Sequence, residues 1–115
     1  ALDSIESCDW LLLCTGQSEK WGSEEYFGTE PLFTEAFVKT AARIARKGIG
    51  LDCSGLDREG VALHCVWFSS GGGLMVGNLT DLEILLSESQ ILFAAYPLKL
   101  AAGDGAPVRA VAVLG

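Results

Sequence analysis

The residues best equipped for chemistry sit in two short stretches. HCVWFSSGGGLMVGNL, residues 64 to 79, holds the one histidine of the chain, His64, beside Cys65, and GIGLDCSGLD, residues 48 to 57, holds Asp52, Cys53 and Asp57. A metal ion would need three or four donors converging on one point. Neighbours such as His64 and Cys65 point in different directions from a helix and do not readily share an ion. A hydrogen-bonded structural histidine is therefore the expectation, against a self-contained metal site. A nucleophilic pair of Cys53 with His64 would require hydrogen-bond reach and a thiol of depressed pKa, whereas most buried cysteines are inert. The glycines of SSGGG lack the Gly-Lys-Ser/Thr ending of a phosphate loop, and a strand follows them, so they read as a tight helix-to-strand turn. Glu19, Glu24, Glu25 and Glu30 share a long loop with Trp21, Tyr26 and Phe27. Acid–base catalysis by two of them competes with the plainer reading of a solvated loop pinned by its aromatics. That loop is a candidate pocket or interface surface.

These residues need elements to place them. DWLLLC (9 to 14) is an apolar run of strand length, suited to a strand covered on both faces. Thr34 offers an N-cap hydroxyl to a helix expected from Glu35 to about Lys47, with Phe37, Ala41, Ile44 and Ala45 as its buried stripe and Gly48 as its close. GIGLDC (48 to 53) follows as a strand, so that strand, helix and strand form a parallel crossover unit. Val61 to Phe68 reads as a short helix carrying His64, and LMVG (74 to 77) as a third strand. TDLEILL reads as a helical turn capped by Thr80. ILFAAYPL (91 to 98) and VRAVAVL (108 to 114) read as two further strands around the turn AAGDGAP, where Asp104-Gly105 would supply the unusual dihedrals.

Composition sets outer bounds. The 115 residues, expected to form one domain, are 50% hydrophobic with a net charge of −7. So small a globule struggles to hide that much apolar material, which favours a homo-oligomer, most simply a dimer. The cations are scattered, and no basic face suited to nucleic acid is evident. No apolar run is long enough for a membrane span, and the first residues do not resemble a secretion signal. Without C-x-x-C pairs, the four cysteines fit reduced thiols and a cytoplasmic setting.

Four segments, in order, resemble the metal-dependent cyclase family, whose best-known members are bacterial kynurenine formamidases. They are DWLLLCTGQSEKWGSEEYF, KGIGLDCSGLD, His64 with MVGNLTDL, and YPLKLAAGDGAPVRAVAVL. The resemblance covers nearly the whole chain but only the C-terminal part of the family domain. It implies an α/β fold of stacked β/β/α layers (swivelling-domain-like) with a mixed sheet, truncated at the N-terminus. It also implies a divalent zinc or manganese ion held by an N-terminal His-x-Gly-Thr-His-x-Asp motif, a helix histidine matching His64, and a strand glutamate. Here the motif is absent, Gly77 stands where the glutamate is expected, and Gly55 replaces a serine. Asp52 and Asp57 match family aspartates. The resulting expectation is a non-catalytic oligomeric binding or structural module of unknown small-molecule ligand, with no cofactor. The alternative is an amide-hydrolase half-domain in which a partner chain supplies the missing metal ligands to join His64, Asp52 and Asp57. A third reading is an independent enzyme built around Cys53, His64 and the acidic loop.

Overall fold

A computed structural model of the chain describes residues 2–115. The chain divides into two compact units, one running to Leu82 and one spanning Glu83–Gly115. In the first, strands β1 (Cys8–Leu13), β2 (Ala45–Leu51) and β3 (Leu74–Val76) form a parallel sheet in the order β1-β2-β3. Helix α1 (Glu35–Ile44) makes the crossover from β1 to β2, and α2 (Ala62–Ser69) leads from β2 to β3. In the second unit, β4 (Ile91–Pro97) and β5 (Val108–Leu114) form an antiparallel hairpin, in register from Ile91↔Leu114 to Pro97↔Val108. The strands thus fall into two sheets rather than the single mixed sheet expected. Sequence-adjacent β4 and β5 pair with each other from end to end, as antiparallel neighbours joined by a direct connection do.

The helix α1 begins as its residues dictate, with Thr34 Oγ1 accepting from the Phe37 amide at 3.1 Å. It buries Val38, Ala41, Ala42 and Ile44, while Phe37 packs at the margin of the core. The end differs from expectation: α1 stops at Ile44, and Ala45, Arg46 and Lys47 already belong to β2. Pairing with β1 overrides helix propensity there. Ala45 sits opposite Cys8, and both Arg46 and Lys47 reach Asp9, at 2.8 and 2.9 Å. Gly48 is therefore no helix cap. Its missing side chain lets the Leu74 carbonyl and the Trp10 ring close on the central strand.

The core gathers Leu11, Val38, Ile44, Ile49, Leu51, Leu56 and Trp67. Trp67 is fully buried, and its indole N–H donates to the Gly73 carbonyl at 2.9 Å. Gly72 packs against that indole and Gly73 against the Lys47 carbonyl, which makes SSGGG the tight turn expected of it. The turn after Thr80 is a 3₁₀ segment, Leu82–Ser87, and the Thr80 hydroxyl meets the Asp81 carboxylate instead of capping it. In the β4–β5 connection the positive φ falls at Ala102 (57°), not at Asp104-Gly105, because the link is a long loop and not a two-residue turn. Among the described residues, no helix is long and apolar enough to cross a membrane.

Candidate functional site

The helix α2 starts without a cap from its own boundary residue, since Val61 has φ −140° and makes no side-chain cap bond. Asp57 reaches in from the preceding turn instead. Its Oδ1 accepts from the Leu63 amide at 2.8 Å, and its Oδ2 from the His64 amide at 2.9 Å. The same Oδ2 lies 2.6 Å from His64 Nδ1. One carboxylate therefore closes the positive end of the helix and aims the imidazole borne on its first turn. The Asp57 side chain is 6% exposed and that of His64 33%. Burial alone would raise the Asp57 carboxyl. Hydrogen bonds from the His64 ring and from the Leu63 and His64 amides outweigh it and hold the group below the usual carboxylate range. With Nδ1 engaged, the neutral ring carries its proton there and leaves Nε2 as an acceptor. Gly55 makes room for it: a Cβ at that position would lie 2.9 Å from Cε1 and 3.1 Å from Nε2. Glycine at position 55 thus leaves the free side of the imidazole clear.

Asp52 serves a different purpose. Fully buried at the end of β2, its Oδ2 accepts from the Thr15 and Gly16 amides at 2.9 and 2.8 Å, and its Oδ1 from the Thr15 hydroxyl at 2.5 Å. It clasps the end of β1, and its hydrogen bonds go to Thr15 and Gly16. Cys53 is buried, and its thiol meets the Gly55 carbonyl at 3.4 Å. Burial raises that thiol above its ordinary value, the reverse of what a nucleophile needs. Cys65 is exposed.

The aromatic loop is built around Tyr26, which is buried, with Trp21 and Phe27 edge-on to it at centroid distances of 5.0 Å. The Tyr26 hydroxyl donates to Asn78 Oδ1 at 2.5 Å. Tyr26 thus pins the loop, whereas Trp21 and Phe27 remain largely exposed. Among the loop carboxylates, Glu30 departs from the solvated reading. It is buried, accepts from the Gly28 amide at 2.7 Å and the Ser54 hydroxyl at 3.3 Å, and offers its backbone carbonyl to Arg58. Gln17 is buried too and donates to the Tyr26 carbonyl at 2.6 Å. Sequence reasoning passed over Gln17 and Trp67: both donate to backbone carbonyls that carry no signature of their own, and Gln17 also donates to the Thr29 hydroxyl at 3.1 Å.

The structure therefore brings His64 and Asp57 together and leaves Asp52, Cys53 and the aromatic loop in structural roles around them. Beside Asp57 lies an open depression of about 320 Å³, walled by Leu32, Phe33, Leu56 and Leu63 with Arg58 and Glu59 at its margin. Gly77 does not leave room for a carboxylate, because a Cβ there would come 2.9 Å from the Ser54 carbonyl oxygen and 3.2 Å from that of Cys53. Among the described residues, no group of three or more His, Cys, Asp or Glu side chains could hold a metal ion. The donor set does not fit a divalent cation.

The comparisons with known proteins point to one class. Two solved structures match over 93% of the chain, and both are metal-dependent hydrolase- or cyclase-like proteins. One is described as a potential metal-dependent hydrolase with cyclase activity (TM-score 0.70, 31% identity, 51% of that chain covered). The other is a predicted metal-dependent hydrolase from Bacillus stearothermophilus (TM-score 0.67, 30% identity, 50% covered). Among curated sequences, the uncharacterized protein MJ0783 of the archaeon Methanocaldococcus jannaschii is 31% identical over 113 residues, which span 97% of this chain and 58% of that protein. The chain thus spans little more than half the length of the relatives it matches. No protein-family model matches it.

Proposed function

We propose that this chain is a metal-dependent-hydrolase-like half-domain that does not hydrolyse amides by itself and acts as a binding or structural module. The observation that supports this reading is the donor geometry. His64 is the one imidazole, and the position where a second ligand is expected is Gly77, held against the Ser54 carbonyl. A hydrolytic cation needs about three protein donors, and this arrangement offers one. The depression beside Asp57, with apolar walls and a charged margin, suits a small organic ligand. Titration of the metal-stripped protein with zinc and with manganese, followed by elemental analysis, tests the reading. The expected result is no stoichiometric metal and no hydrolysis of an N-formyl aromatic amide. A tightly held equivalent of either metal, lost on His64→Ala, would overturn it.

One observation favours a second reading. The carboxylate-oriented imidazole of Asp57 and His64 has the geometry of a metal ligand and its supporting partner, with Nε2 left free. In that reading a separate polypeptide carrying the His-x-Gly-Thr-His-x-Asp motif completes the site. Metal binding that appears only when such a polypeptide is added, and that vanishes in His64→Ala, would separate it from the first.

A further inference from the structure

The connection between β4 and β5 holds a reactive step that neither the ladder nor the loop closure uses. Asp104-Gly105 lies between Pro97 and Val108, the last paired residues of the hairpin. The Leu98 amide closes the loop by donating to the Pro107 carbonyl at 3.0 Å, and Ala102 supplies its left-handed residue. Among the described residues, the Asp104 carboxylate has no hydrogen-bond or ion-pair partner, and the Gly105 amide donates to none. A Cβ built on Gly105 would meet no atom within 4 Å. Aspartates of the first unit stand differently. Asp52 and Asp57 have both carboxylate oxygens taken by N–H or O–H donors. Asp9 is held by Arg46 and Lys47. Every aspartate other than Asp104 is also followed by a residue with a side chain.

We infer that Asp104 is a site of spontaneous covalent modification in the folded protein, converting to isoaspartate through a cyclic imide with Gly105. The Gly105 nitrogen attacks the carboxyl carbon of the Asp104 side chain. The new N–C bond closes a succinimide ring, and the amide hydrogen leaves with the carboxyl O–H as water. A water molecule then opens the ring. Breaking the bond from nitrogen to the side-chain carbonyl restores aspartate. Breaking the bond from nitrogen to the backbone carbonyl leaves the chain running through Cβ and Cγ, with the old backbone carbonyl as a free carboxylate. Water is the one co-reactant in this balance. Three features select the step. Glycine brings the attacking nitrogen with no side chain to block it and with the backbone freedom to approach. The amide is committed to no ladder bond, so its approach breaks none. No partner holds the carboxylate away from it. The product adds one carbon to the backbone of a loop outside the paired register, where such change is best tolerated. The inference does not depend on the hydrolase reading.

Incubation of the full chain for weeks at neutral pH and body temperature, in water enriched in oxygen-18, tests it. Trypsin in ordinary water then cuts after Lys99 and Arg109 and releases residues 100–109 as one peptide. The expected result is a second form of that peptide that elutes apart, carries heavy oxygen at residue 104 and fragments as isoaspartate. The free peptide of residues 100–109 sets the reference rate. Conversion in the folded chain should fall within about tenfold of it, as for a loop that opens at little cost. Gly105→Ala adds a methyl into open space, so it should keep the circular dichroism of the unaltered chain and lose most of the conversion. An unlabelled peptide from the folded chain, after the free peptide has converted, overturns the inference. So does a folded chain that converts far more slowly than the free peptide, or a Gly105→Ala chain that converts as fast as the unaltered one.

Discussion

Asp57→Asn tests the link between fold and site most directly. The carboxylate accepts three N–H groups, from the Leu63 amide, the His64 amide and the His64 ring. An asparagine can keep its oxygen toward the two His64 donors, but its amino group must then face the Leu63 N–H at 2.8 Å. One charge-assisted bond is lost outright, at about 1.5–3 kcal/mol, and two others fall from charged to neutral strength. The sum is about 2–4 kcal/mol at pH 7, a large share of the 5–15 kcal/mol typical of a whole domain. Urea unfolding followed by far-UV circular dichroism measures it. The pH dependence has a definite sign. The folded carboxyl lies below its ordinary value, so its contribution is complete above the unfolded pKa of about 3.9 and is lost as pH falls through the lower folded value. The gap between wild type and Asp57→Asn should hold from pH 7 to about pH 5 and close as pH falls through the folded value. A gap under about 0.5 kcal/mol at pH 7, within the ordinary range for surface changes, would refute the reasoning. So would a gap that ignores pH.

The remaining predictions concern the scaffold. Asp52→Ala strands the Thr15 and Gly16 amides and the Thr15 hydroxyl, and should cost about 3–5 kcal/mol in the same unfolding assay. Gly48→Ala forces a methyl between the Leu74 carbonyl and the Trp10 ring; overpacking of this kind costs about 1–3 kcal/mol, and an unchanged midpoint would contradict the close approach. Gly77→Glu should lower the melting temperature and gain no zinc by elemental analysis, since its Cβ meets the Ser54 carbonyl before its carboxylate reaches His64. Stoichiometric zinc in that variant would count against the packing argument.

What the sequence made legible was local. The Thr34 cap is a bond across three residues, and the glycine turn after α2 is set by its own backbone freedom. The end of α1 was not legible, because Ala45 to Lys47 carry helical propensity and are claimed by a strand more than thirty residues earlier. Buried Glu30 was hidden for a similar reason: its partners are Gly28 and Ser54, and nothing in an acidic, glycine-rich loop says which carboxylate turns inward. For the site, His64 and Asp57 stood out through residue type and family resemblance, not through spacing. A cap supplied from position 57 to a helix beginning at Ala62 follows no short-range capping pattern.

The clasp at Asp52 has a consequence for what this protein can accept. Paired amides at the carboxyl end of a parallel strand are where open α/β sheets commonly receive phosphate groups. Here the Thr15 and Gly16 amides are already taken by a resident carboxylate. A nucleotide or phosphorylated metabolite arriving at that crevice would find the seat filled and a like charge in it. The molecule is thereby biased toward uncharged or cationic guests at this end of its sheet.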